Sequence, residues 1–157
     1  MEINEAINDI LNDLVKINND RIAGYQRAIS ESKDLDIDLK AIFEGMAQQS
    51  AAYKAELTEQ IEKNGGVVED DTTTSGKIYR AWMDIKASMT DSDRHSILAS
   101  CEFGEDAAQR AYESALSSDD LRDSAIRALV AEEQASLKKS HDMIKQQRNA
   151  HKSLLNK

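Results

Sequence analysis

Three charged residues stand where apolar ones are expected. At 100° per residue, Glu105 falls within the stripe of Leu98, Cys101, Ala108 and Tyr112 in the segment ILASCEFGEDAAQRAY. Glu133 falls among Leu129, Ser140 and Ile144, and Arg21 lies at the centre of a stripe of Leu14, Ile17 and Tyr25. A carboxylate withdrawn from water needs a metal, a base or a proton as its partner. Inward carboxylates on two helices raise the prospect of metal chemistry, whereas an inward guanidinium points to neutralisation by ion pairing.

The metal pattern can be checked position by position. Di-metal carboxylate bundles carry one Glu on each of two helices and a Glu-x-x-His motif on each of the other two. Three residues after Glu133 stands Ser136, where that motif needs His. The second helix offers Met46, Gln49, Ser50 and Tyr53 inward, with Glu44 and Glu56 outward or at the edge; Asp20 points away from the stripe of the first helix. Only Glu105 and Glu133 have counterparts in the pattern. Glu102 lies off the stripe and His141 at the edge of an apolar face, so they complete the candidate ligands for iron or manganese, the alternative reading. The favoured expectation is a buried polar layer of Arg21, Glu105, Glu133 and Ser136, with Arg21 in the electrostatic place of metals and no cofactor.

Other chemistry is poorly represented. The acids Asp34, Asp36 and Asp38 resemble the start of a calcium loop, but Leu39 and Gly45 occupy its Gly and bidentate Glu positions. Cys101 lies one turn before Glu105, and burial beside a carboxylate disfavours a thiolate. His95 and His151 read as surface or boundary residues, and Tyr25, Tyr53 and Tyr112 as core tyrosines seeking hydroxyl partners. A Gly-rich phosphate loop, a Cys-x-x-Cys pair and a His-Glu-x-x-His motif are all missing, so the expectation is a non-enzymatic protein.

The elements that would position these residues are helices. The 157 residues include no proline and six glycines, and are expected to form one domain, 1–157. Apolar residues recur at helical spacing in four long segments: about Asn4 to Ser32, from Asp36 or Asp38 to about Asn64, from Thr90 or Asp91, and from Ser117 or Ser118 towards Leu154. Gly65-Gly66 ends the second, and Ser117 with Asp120 has capping-box spacing before the fourth. Short loops make each outer pair an antiparallel hairpin. The long link between the second and third holds a further helix, KIYRAWMDIKASM, about 22 Å long at 1.5 Å per residue. Such a link can return along the bundle and leave helices two and three parallel. The expected fold is an all-α four-helix bundle with one crossover, the ferritin-like connectivity.

The net charge of −9 argues against a nucleic-acid binder. The exception is the end of the fourth helix, where Lys138, Lys139, Lys145, Arg148, Lys152 and Lys157 face one acid, Asp142. The helix macrodipole accounts for such a cluster, and an acidic protein partner is the alternative. The start MEINEAINDILNDL has no signal-peptide pattern, no run is long enough to span a membrane, and the single cysteine fits a reducing compartment. A cytoplasmic protein is expected. Ile78, Trp82, Ile85 and Met89 form a stripe on the crossover helix, which predicts a homodimer with Trp82 in or near the contact.

The stretches LNDLVKINNDRIAGYQRAI, SGKIYRAWMDIKA and ILASCEFGEDAAQRAYESAL resemble an uncharacterised bacterial four-helix-bundle family of the ferritin-like superfamily. The resemblance covers nearly the whole chain. It implies the ferritin-like fold and no established activity, and the superfamily relatives suggest stress physiology.

Overall fold

The computed structural model describes residues 2–32, 37–70, 94–122 and 125–155. Among them are four α-helices: α1 (Glu2–Glu31), α2 (Ile37–Lys63), α3 (Arg94–Ser117) and α4 (Ile126–Leu155), with a 3-10 turn at Asp119–Leu121 before α4. The chain is an all-α four-helix bundle. The expected crossover helix with Ile78, Trp82, Ile85 and Met89, the caps Thr90 and Asp91, and the acids Asp34 and Asp36 lie outside the described residues.

Contacts along the helices fix their directions. Asn8 bonds Asn64, Arg21 bonds Ser50 and Tyr25 packs on Phe43, so α1 and α2 are antiparallel. Asn18 bonds Tyr112 and Arg21 bonds Glu105, so α1 and α3 are antiparallel too. Consequently α2 and α3 run parallel, and the chain crosses over between them. The start of that crossover is visible at residues 67–70, which follow α1: Asn12 bonds the Val67 carbonyl, Lys16 pairs with Glu69, and Asn19 bonds Asp70.

Glycine chemistry releases the chain into this path. Gly65 has φ +75°, a left-handed value costly for residues with a Cβ, and the Gly66 N–H reaches back to the Ile61 carbonyl at 2.9 Å. A Cβ on Gly66 would meet the Asn8 amide, so a larger residue there would have to displace the Asn8 side chain.

The α3–α4 connection differs from its expected form. Ser117 is the last residue of α3, and its hydroxyl bonds back to the Glu113 carbonyl instead of making a capping box with Asp120. Ser118 caps the 3-10 turn, accepting from the Asp120 N–H, and α4 starts only at Ile126. The turn buries Leu121 completely. Arg127 donates to the Leu116 carbonyl and satisfies part of the C-terminus of α3.

The core falls into two apolar clusters. One contains Leu11, Leu14, Ile17, Leu57, Ala108, Tyr112, Val130 and Leu137; the other contains Tyr25, Leu39, Phe43, Met46, Ile97, Leu98, Cys101 and Ile144. Each fully buried Leu, Ile or Phe contributes about 1.5–3 kcal/mol. On every helix the residues between the two clusters are polar: Arg21, Ser50, Glu105 and Ser140.

One orientation departs from the sequence reading. Asp20, expected to point away, is fully buried, as are or nearly are Asn8, Asn12 and Asn18. A single apolar stripe suits a helix with one neighbour. Here α1 packs against α2, α3 and the returning segment 67–70, so its buried arc is much wider than the stripe.

Candidate functional site

The polar layer is organised by Arg21, whose guanidinium is 1% exposed. Nε donates to Glu105 Oε1 at 2.6 Å, Nη1 to Ser50 Oγ at 2.5 Å, and Nη2 to Gln49 Oε1 at 3.2 Å. The guanidinium carbon also lies 5.4 Å from the Tyr25 ring centre, an attractive cation–π position. Tyr25 donates its hydroxyl to the same Glu105 Oε1 at 2.8 Å. Ser140 extends the layer onto α4 by donating to Gln49 Oε1 at 2.9 Å, and Gln49 Nε2 reaches Tyr53 Oη at 3.4 Å. All four helices thus supply a member.

Electrostatics explain why the layer survives burial. Burial pulls the Arg21 pKa down, but Glu105 and Tyr25 beside it more than offset this and hold it above its ordinary value. Burial, and then the charge of Glu105, push the Tyr25 hydroxyl and the Cys101 thiol well above theirs. Both therefore remain neutral, and Cys101 is no nucleophile.

Glu133 sits in a different network, about two turns from Ser140 along α4. Its Oε1 accepts from the Tyr112 hydroxyl at 2.7 Å, and Tyr112 accepts from Asn18 Nδ2 at 2.9 Å. Burial raises the Glu133 pKa to about 8, and nearby Glu56 and Glu132 add to this against the Tyr112 hydrogen bond. Burial and the Glu133 charge in turn push Tyr112 well above the ordinary tyrosine value.

The structure thus joins Arg21 to Glu105 directly and gives Glu133 its own partners. Ser136 is half-buried and contributes its backbone carbonyl, 3.4 Å from Ser140 Oγ. Glu102 is held by Arg148 at 2.5 Å on the α3–α4 edge. His141 lies in that edge as well, with Nε2 2.5 Å from Asp106 and Nδ1 3.2 Å from Asp142. Partial burial draws the His141 pKa down, but the two carboxylates outweigh it and raise the value. The four candidate ligands are therefore dispersed: Glu105 in the layer, Glu133 with Tyr112, and Glu102 and His141 in separate ion pairs. Among the described residues, no three His, Cys, Asp or Glu side chains are grouped as a metal site would need. A di-metal centre does not fit this donor set, because Glu105 Oε1 is already occupied by a guanidinium and a phenol.

Two members of these networks were hard to find by sequence. Asn18 interrupts an apolar stripe, which is a usable signal. Glu56 gives no such signal: it lies at the rim of α2, half-buried, and its charge helps to raise the Glu133 pKa.

A family model described as a domain of unknown function, DUF2383, matches residues 6–118. That span covers α1 to α3, and so includes Arg21, Ser50, Glu105, Asn18 and Tyr112; Glu133 and Ser140 lie beyond it. No curated protein and no solved structure gives a match.

Proposed function

The chain belongs to the DUF2383 family, a domain of unknown function, and from that premise we propose that it is a non-enzymatic bundle of ferritin-like type that acts through association. The observation carrying this reading is the fully buried Arg21–Glu105 pair at 2.6 Å. The interior position at which a carboxylate bundle would hold metal already contains a fixed cation, and a second cation beside it would be repelled. Ferritin-like type is supported by the single crossover that makes α2 and α3 parallel.

Association is the remaining mode of action. A homodimer through the crossover stripe of Ile78, Trp82 and Ile85, residues outside those described, is one candidate. An acidic partner at α4 is another, where Lys138, Lys139 and Lys145 are exposed. The proposal includes a cytoplasmic place, which the single free cysteine supports, and a role in bacterial stress physiology, which rests on the superfamily resemblance. Among the described residues, no helix is long and apolar enough to cross a membrane.

The second reading is an iron or manganese protein. It is favoured by two buried acceptors that meet no donor, Glu105 Oε2 and Glu133 Oε2. Metal analysis of protein purified without chelator, followed by iron titration, separates the two. The non-enzymatic reading expects no stoichiometric metal. Iron or manganese bound stoichiometrically and lost in Glu105→Ala would replace it with the metal reading. Light scattering over a dilution series, with Trp82→Ala alongside, tests the dimer; a monomer at every concentration would remove self-association.

A further inference from the structure

Of the asparagines in this chain, only Asn64 is followed by glycine. The pair stands in the turn that ends α2, beside α1. The Asn64 side-chain amide donates from Nδ2 to Asn8 Oδ1 on α1 at 3.1 Å, and the Gly65 N–H donates to the Glu62 carbonyl at 3.0 Å. In an Asn-Gly pair the glycine nitrogen can close a ring on the asparagine Cγ, because the two atoms are brought within reach by the chain itself. Glycine hinders that closure least, and a Cβ on Gly65 would meet nothing within 4 Å.

The surroundings supply what the reaction needs. Asn64 is half-buried and Gly65 exposed, and both line an open cleft of about 300 Å³ with Glu5, Asp9 and Glu69. Water therefore reaches the amide. Three hydrogen bonds hold the pair back: Asn64 to Asn8, Gly65 to Glu62, and the Gly66 N–H to the Ile61 carbonyl at 2.9 Å. All three lie at a helix end, the part of a helix that opens locally at least cost.

We propose that Asn64–Gly65 is a site of spontaneous deamidation, restrained by the Asn8 anchor, whose product releases the end of α2 from α1. In the open turn the Gly65 nitrogen bonds to Asn64 Cγ and the Cγ–Nδ2 bond breaks. Nδ2 leaves as ammonia with the proton that the Gly65 nitrogen gives up. Water then opens the resulting cyclic imide at either carbonyl, giving aspartate or isoaspartate; nothing is oxidised or reduced. Either product loses the Nδ2 donor and adds a negative charge beside Asn8 Oδ1. The cleft is already lined by three acids, and the lysines near it are engaged, Lys16 with Glu69 and Lys63 with Glu59. In isoaspartate the main chain also gains a methylene, which breaks the register of the Gly66–Ile61 bond.

Incubation of the folded full chain at neutral pH, followed by peptide mapping with mass spectrometry, tests the site. Modification should appear at Asn64, more slowly than in the same chain unfolded in guanidinium chloride. It should be absent from Asn64→Gln, whose longer side chain disfavours the ring. Asn8→Ala removes the anchor and should speed the reaction about five-fold, the factor that one hydrogen bond commands. Asn8→Asp, which keeps an acceptor oxygen, should not exceed the wild-type rate. Asn64→Asp reproduces one product directly: the Gly66 and Glu69 amides, which donate to Ile61 and Asn12, should exchange with solvent about ten-fold faster than in the wild type. An Asn64 that stays intact in the folded chain after the unfolded chain has converted would overturn the site. Equal rates in wild type and Asn8→Ala, or a faster Asn8→Asp, would overturn the restraint. Unchanged exchange in Asn64→Asp would overturn the release.

Discussion

Two glutamates are buried to the same degree in this bundle, Glu105 at 0% and Glu133 at 1% exposure, and they are neutralised in opposite ways. Glu105 has Arg21 at 2.6 Å and a tyrosine hydroxyl on the same oxygen. Glu133 has a tyrosine hydroxyl but a second acid where Glu105 has a cation, and burial with that acid pushes its pKa to about 8. A buried carboxylate needs its charge cancelled, by a fixed partner or by a proton, and the neighbour decides which. The second solution depends on pH.

Breaking the cation side should have the largest effect. Arg21→Met strands Glu105 in the core and is expected to cost about 4 kcal/mol in urea unfolding. Adding Glu105→Gln should recover much of the loss, since removing both charges leaves no unpaired ion. If the two substitutions act independently in a double-mutant cycle, the pair is not the source of the neutralisation.

The proton side should respond to pH instead. The folded pKa of Glu133, about 8, lies above the ordinary glutamate value of 4.5, so between these values the folded protein holds a proton that the unfolded chain has released. This contribution is full below the unfolded value and is lost as pH rises through the folded one. Between pH 6 and pH 9 the wild type should lose about 3 kcal/mol relative to Glu133→Gln. Parallel curves would assign Glu133 an ordinary ionisation and dissolve the contrast with Glu105.

A smaller effect sharpens the comparison. Tyr25→Phe removes one of two donors to Glu105 and leaves Arg21 in place, so about 1–2 kcal/mol should be lost, equally at pH 6 and pH 9. Tyr112→Phe removes the hydroxyl that donates to Glu133 and should in addition raise the pH midpoint of Glu133. Equal pH behaviour in the two variants would show that the tyrosines play the same role in both networks.

The smallest expected effect lies at the surface. His141 between Asp106 and Asp142 has a raised pKa, so its contribution is full below the ordinary histidine value and fades as pH rises through the folded one. His141→Gln should cost less than about 1 kcal/mol at pH 5.5 and nothing measurable at pH 9, by the same unfolding assay. A larger loss at pH 9 would mean that His141 packs rather than pairs.

The helical repeat made much of this legible before the structure. Rotation by 100° per residue turns Met46, Gln49, Ser50 and Tyr53 inward on the second helix, and these are side chains that meet Arg21 or one another. The contrast between short and long connections indicated the relative helix directions. The burial of Asp20 was not legible, for a geometric reason. A helical wheel gives the direction of burial but not its angular width, which depends on how many elements surround the helix. The α3–α4 turn was missed because Ser117 and Ser118 are equally good caps. In the structure Ser118 caps the turn and Leu121 is buried, a tertiary contact invisible in the local pattern.

The Arg21–Glu105 pair joins residues 84 positions apart, whereas each hairpin closes through a short loop. That separation has a kinetic consequence. Each hairpin can form its own local contacts first, and the charge pair is made only when α1 of one docks on α3 of the other. An interaction made late is absent from the transition state, so its removal should leave the folding rate nearly unchanged and accelerate unfolding. The Arg21–Glu105 bond should then bear on how long the bundle persists, while the bonds from Arg21 to Ser50 and Gln49 belong to the first hairpin.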